Sequence, residues 1–158
     1  MDIKKYKSQD RLLVAVDCII FGFDGKQIKV LLIKRGFEPE KGKWSLMGGF
    51  VGKDENVADA AARVLKQLTG LTDIYMEQLH CFGEANRDLA GRVVSIAYSA
   101  FINIADYSEQ LSSEHEAKWF PISKIPPLIF DHKQMLKKWL TTRIITIQKG
   151  RNCINKRI

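Results

Sequence analysis

The chain has 158 residues, 46% hydrophobic and 27% charged, the proportions of an ordinary globular chain; they exclude disordered and collagen-like polymers, and the length corresponds to one domain. Apolar runs reach only four or five residues, as in 12–16 and 30–33, far short of the roughly 18 that a membrane-spanning helix requires. The net charge of +7 is localised. Lys133, Lys137, Lys138, Arg143, Lys149, Arg151, Lys156 and Arg157 follow His132 with no acid among them, and removing those eight from the 25 basic residues leaves 17 against 18 acids, a body of net −1.

Residues 1–10 carry charge without the apolar stretch of a secretion signal and read as an N-terminal extension. Leu12 to Phe23 is rich in β-branched and aromatic residues, Asp24-Gly25 supplies a turn, and Ile28 to Lys34 returns as the second strand of a hairpin. Gly36 to Lys43 reads as a loop before one short apolar segment, Trp44 to Val51, which holds the Gly48-Gly49 pair. Asn56 with Asp59 three positions on resembles a capping box, helical periodicity follows over 57–69, and Gly70 is a C-terminal stop. Tyr75 to Phe82 and Val93 to Ile104 read as strands, and Lys118 to Phe120 as a short strand ended by Pro121. Met135, Leu136, Trp139 and Leu140 mark one face of a second helix over about 131–140.

Strands interleaved with two helices predict an α/β fold with a mixed sheet between the helices. The folded domain is expected over 11–142, with 143–158 a basic tail read as a truncated linker. Cys18, Cys81 and Cys153 form no C-x-x-C pair and suit a reducing compartment. With neither signal nor membrane span in view, a cytoplasmic location and no membrane partner are expected.

The most informative stretch is Gly42 to Leu71, GKWSLMGGFVGKDENVADAAARVLKQLTGL. At 100° per residue Val57, Ala60, Ala61, Val64, Leu65 and Leu68 share one stripe about 140° wide, an ordinary apolar helix face. The same stretch resembles a Nudix box, G-x5-E-x7-R-E-U-x-E-E-x-G-U with U aliphatic. Gly49, Glu55, Arg63, Leu65, Gly70 and Leu71 stand at the matching spacings, and Trp44-Ser45-Leu46 with Gly48-Gly49 matches the usual lead-in. Where the box has three glutamates after Arg63, this chain has Val64, Gln67 and Leu68. In active members those acids hold the divalent cations that neutralise a pyrophosphate and activate water. Valine and leucine offer no oxygen, so no metal site, cofactor or catalytic residue is expected. Glu55 and Arg63, with Mg2+, form the fallback set if the chain is an active hydrolase; otherwise they read as a helix-start carboxylate favoured by the dipole and its arginine partner.

Outside the box, Arg35-Gly36-Phe37-Glu38-Pro39, Glu77-Gln78-Leu79 with Phe82-Gly83, Arg87-Asp88 and Gly91 to Tyr98 are similar to the Nudix-related transcriptional regulators. This resemblance covers about residues 11 to 140. It implies a Nudix-type α/β/α sandwich with a mixed central sheet, a homodimer, and binding of a small polyhydroxylated effector in place of hydrolysis. The effector is an ADP-ribose-type nucleotide in one branch of that family and the pentose arabinose in another. Members continue into a DNA-reading winged helix, whereas residues 144–158 show no recognition-helix pattern. Sequence-specific DNA binding is therefore not expected, and the basic tail is expected to touch DNA only weakly and without sequence preference.

The candidate ligand-binding residues are Arg35, Glu38, Gly48, Gly49 and Arg87. The two arginines offer rigid forks for phosphate or carboxylate, and Glu38 can accept from a sugar hydroxyl. The glycines either admit a ligand to the backbone or mark a β-bulge. Asp17, inside an apolar strand, needs a partner and either lines the pocket or is hydrogen-bonded at a sheet edge. Trp44 and Tyr98 are base-stacking candidates or core aromatics, and the three histidines share no metal-binding spacing. The leading expectation is a catalytically silent sensor domain; the alternative is a hydrolase of nucleoside diphosphate derivatives using Asp54, Glu55, Glu84 or Glu116.

Overall fold

In the computed structural model, which describes residues 9–111 and 116–142, the apolar strand β1 (Leu13–Phe23) lies in the middle of a seven-stranded mixed sheet. The expected hairpin forms. β1 and β2 (Ile28–Lys34) pair antiparallel from Phe21↔Val30 to Phe23↔Ile28, and Asp24 accepts from the Lys26 and Gln27 N–H groups at 2.9 and 2.8 Å. Gly25 takes the left-handed conformation, φ 88, that the turn needs and that a side chain would resist.

The segment 44–51 is not one strand. Leu46 divides it into β3 (Trp44–Ser45), which pairs with β2, and β4 (Met47–Phe50), which pairs with β1. β5 (Glu77–Phe82) and β6 (Val93–Asn103) follow, with β6 parallel to β1 over its whole length. β7 (Lys118–Pro121) pairs with β2, so the main path runs β3-β2-β1-β6-β5. β6 ends one residue earlier than the sequence suggests. The Asn103 side chain accepts from the Ala105 N–H at 3.4 Å and starts a 3-10 turn, Ile104–Tyr107.

Alternation along β1 sends Val16, Cys18 and Ile20 to one face and Ile19 and Phe21 to the other. The first face packs on α1 (Val57–Thr69), which buries Ala60, Ala61, Val64 and Leu65. The second packs on α2, described over 132–142, through Met135, Leu136 and Trp139, the last stacked on Phe21 with ring centres 4.0 Å apart. This is the expected α/β/α sandwich. α1 has the predicted bounds, and Gly70 ends it at φ 80 with its N–H on the Lys66 carbonyl at 2.8 Å. The capping box does not form: the Asn56 amide donates to the Asp59 carboxylate at 2.8 Å instead of its oxygen accepting from a backbone N–H.

The basic tail from 143, Cys153 and most of the N-terminal extension lie outside the described residues. Among those described, no helix is long and apolar enough to cross a membrane.

Candidate functional site

Asp17 sits on the α2 face of β1, opposite Gly48 of β4 and Ala97 of β6. It is in the centre of the sheet and not at an edge, because β4 and β6 flank it on both sides. A carboxylate there requires partners. Ser95, on the same face of β6, donates its hydroxyl to Oδ2 at 2.5 Å. Arg87, from the loop between β5 and β6, places Nη2 at 3.6 Å from Oδ2 and grips Asp131 with Nε and Nη2 at 2.9 and 2.8 Å.

His132, at the start of α2, completes the cluster with Nε2 at 3.5 Å from Asp17 Oδ1. Its Nδ1 accepts from the Leu46 N–H at 3.1 Å, so the neutral ring carries its proton on Nε2, facing Asp17. Burial pushes the His132 pKa down, against the opposing pull of Asp17 and Asp131.

Above this network is a cavity open to solvent, with the buried Asp17, Ser45 and His132 in its lining and Arg35, Phe37 and Phe130 among its walls. Arg35 is held by contacts that leave its terminal nitrogens available. Its Nε donates to the Phe37 carbonyl at 3.1 Å, and its guanidinium carbon stands 4.0 Å from the Phe37 ring centre and 5.5 Å from that of Phe130. Partial burial lowers its pKa, while Asp88 and Asp17 act in the opposite direction.

The Gly48-Gly49 pair is not a bulge, since β4 runs in continuous register against β1 from Phe50↔Ala15 to Met47↔Cys18. Space explains both residues. A Cβ on Gly48 would stand 2.5 Å from Asp17 Oδ1, and one on Gly49 would stand 2.6 Å from Val64 Cγ2.

Of the residues singled out from sequence, Arg35, Gly48, Gly49 and Arg87 line this one cavity. Glu38 does not; its loop leaves it exposed beyond the walls. Trp44 packs edge-on against Phe120 at 4.7 Å, and Tyr98 is buried on the α1 side. Asp131 and His132 escaped the sequence reading. The signal available was an Asp-His pair opening α2, the counterpart to Arg87 and to the lone carboxylate in β1.

The helix that carries the box shows what replaced its carboxylates. Glu55 accepts from the Gly52 N–H at 2.6 Å and from Arg63 Nε and Nη2 at 2.9 and 2.5 Å. The arginine above all, then the amide, hold the Glu55 carboxyl down to about 2. Arg63 also donates to the Phe50 carbonyl at 2.9 Å and to Gln67 Oε1 at 3.1 Å, and so fastens the loop after β4 to α1. Val64 is 2% exposed, and Leu68 packs against the same apolar layer.

These side chains do not fit a divalent cation, which takes several oxygens: the carboxylate and the amide are engaged by Arg63, and the other two groups are hydrocarbon. Of the substitute carboxylates, Asp54 and Glu84 are exposed and Glu116 pairs with Lys34 at 3.1 Å. Among the described residues, no group of three or more His, Cys, Asp or Glu could hold a metal.

Comparison with known proteins matches residues 11–140 to the NUDIX domain. The ADPR-responsive transcriptional repressor NtrR of Acinetobacter baylyi is 36% identical over 130 residues, covering 80% of this chain and 52% of the repressor. The ADP-ribose pyrophosphatase of Methanocaldococcus jannaschii is 36% identical over 139 residues, covering 88% of this chain and 79% of the enzyme. The chain thus spans about half the length of the repressor and most of the pyrophosphatase. Among solved structures, the NUDIX domain of Shewanella oneidensis NrtR, complexed with ADP ribose, superposes with a TM-score of 0.75 at 30% identity, covering 90% of this chain and 99% of that one. With the α/β/α sandwich, the box from Gly49 to Leu71 and a match along nearly all of the described residues, the chain belongs to the NUDIX domain family.

Proposed function

We propose that this domain binds an ADP-ribose-type nucleotide as an effector and does not hydrolyse it. The carrying observation is the box helix, where Val64 and Leu68 have joined the apolar layer and Glu55 is engaged by Arg63. The cavity on the other, α2 face of the sheet has the buried polar walls of a ligand site. The names of the relatives support the ligand class, since the repressor, the pyrophosphatase and the NrtR domain are each described by ADP-ribose. A sensor of this kind acts by binding one of two conformations or dimer geometries more tightly than the other. In this reading the domain is a homodimer, and any contact of its basic tail with DNA is weak and without sequence preference.

The identity to the pyrophosphatase favours the second reading, a hydrolase of the same ligand class. Calorimetric titration with ADP-ribose and L-arabinose, followed by product analysis under saturating Mg2+ or Mn2+, separates the two. The expected result is metal-independent, saturable binding of ADP-ribose with the ligand recovered intact. Metal-dependent turnover that disappears in Glu55→Gln while the fold is retained establishes the hydrolase instead.

A further inference from the structure

Asp17 is one of the buried polar residues lining the cavity, 4% exposed, and its two oxygens differ. Oδ2 is engaged, with the Ser95 hydroxyl at 2.5 Å and Arg87 Nη2 at 3.6 Å. Oδ1 has only His132 Nε2 at 3.5 Å, longer than a well-formed hydrogen bond. It stands close against Gly48, where a side chain would lie 2.5 Å away, so the missing side chain is what lets Oδ1 take its place in the cavity lining. An ionised carboxylate oxygen only accepts, and whatever meets it must bring a proton donor.

Charge sorts the cavity further. The guanidinium of Arg87 is gripped bidentately by Asp131, and His132, whose Nδ1 accepts the Leu46 N–H, is the neutral ring. Asp17, Asp131 and Arg87 together carry a formal charge of −1, which repels a phosphate from the floor. Arg35, on another wall, presents a cation that Asp88 partly offsets but whose terminal nitrogens bond no protein acceptor among the described residues. Phosphate is therefore favoured at Arg35 and hydroxyl donors at Asp17. Because Asp17, Ser45 and His132 are nearly fully buried where the outer walls are exposed, the group that reaches Oδ1 is the inner end of the ligand.

We infer that Asp17 is a specificity-determining residue whose Oδ1 accepts a hydrogen bond from the terminal ribose of a sugar diphosphate ligand, with the pyrophosphate at Arg35. The nucleotide part rests on the proposed function; the demand for a hydroxyl rests on the geometry of Asp17 itself.

The test measures affinities of the wild type and Asp17→Asn for ADP-ribose and for ADP, which keeps the adenosine and lacks the terminal ribose. Loss of a charge-assisted hydrogen bond is expected to weaken ADP-ribose by about tenfold or more while ADP stays within about twofold. Unchanged affinity for ADP-ribose overturns the inference. So does an equal loss for both ligands, which shows that Asp17 reads the adenosine or merely supports the pocket.

Thermal unfolding establishes that the variant is folded. If it is not, Gly48→Ala, which sets a methyl group against Oδ1, carries the same two expectations. Should the wild type bind neither nucleotide, the proposed function fails, and L-arabinose takes over the test of Asp17: binding by the wild type that is lost in Asp17→Asn sustains it. Failure of all three ligands overturns both.

Discussion

Restoring one glutamate of the box, Val64→Glu, tests whether the helix face has truly become core. Val64 is 2% exposed, and its Cγ2 fills the space where Gly49 lacks a side chain. Removing the buried valine gives up about 1.5 kcal/mol or more. A carboxyl left there without a partner adds about 1–3 kcal/mol even when neutral. The total, about 2.5–4.5 kcal/mol, is a large part of the roughly 5–15 kcal/mol that holds a domain folded.

With a urea dependence of about 2 kcal/mol per molar, the unfolding midpoint falls by about 1.2–2.3 M. Burial raises the folded-state pKa of the new carboxyl above its unfolded value near about 4.3. Its cost is therefore smallest below about pH 4 and grows as the pH rises from there to the folded pKa. Urea titrations at pH 4, 6 and 8 read both effects, with the exposed Gln67→Glu as a control that changes stability by less than about 0.5 kcal/mol. A Val64→Glu protein within about 1 kcal/mol of the wild type at pH 8, or one whose loss is independent of pH, refutes the core assignment.

Two further titrations probe the ion pairs. Glu55, held down to about 2 by Arg63 and the Gly52 amide, contributes stability that is complete above its unfolded pKa of about 4.3 and is lost as the pH falls towards about 2. The drop in Tm from pH 5 to pH 3 should therefore be smaller in Glu55→Gln than in the wild type, and equal drops contradict the pairing. His132 has its folded pKa lowered chiefly by burial, so its contribution is full above about 6.5 and declines as the pH falls below that. Replacement by Gln, whose amide oxygen can still accept from the Leu46 N–H, should reduce the fall in Tm between pH 7.5 and 5.5; an unchanged fall shows that His132 is not the titrating group.

What the sequence reveals depends on the distance over which each feature is decided. Helix α1 and the Asp24-Gly25 hairpin are readable because periodicity, turn residues and the Gly70 stop all lie within a few positions of what they control. The break at Leu46 is not, because it arises from β3 and β4 choosing different partners far along the chain.

The site divides in the same way. Arg35, Gly48, Gly49 and Arg87 were singled out through a family resemblance, and the fold brings them to one cavity. Asp131 and His132 act only through Arg87, Leu46 and Asp17, across 44 positions in the first contact and 86 in the second. No local pattern encodes those pairings. Of the two readings of Asp17, a pocket wall or a sheet edge, it takes the first, and Ser95, 78 positions away, is what makes its central position tenable.

The parallel pairing of β1 with β6 sets the order in which the chain can assemble. Its eleven residue pairs, from Leu13↔Val93 to Phe23↔Asn103, each join positions eighty apart, and loops of that size must close before the ladder contributes anything. While a ribosome is still making residues 1–92, β1 has no partner for that edge, although eight of its eleven residues end up buried. A bare apolar edge of this kind invites pairing between nascent chains. Substitutions that weaken β6 will accordingly appear first as insoluble protein during expression, well before any loss of affinity is measurable in the fraction that folds.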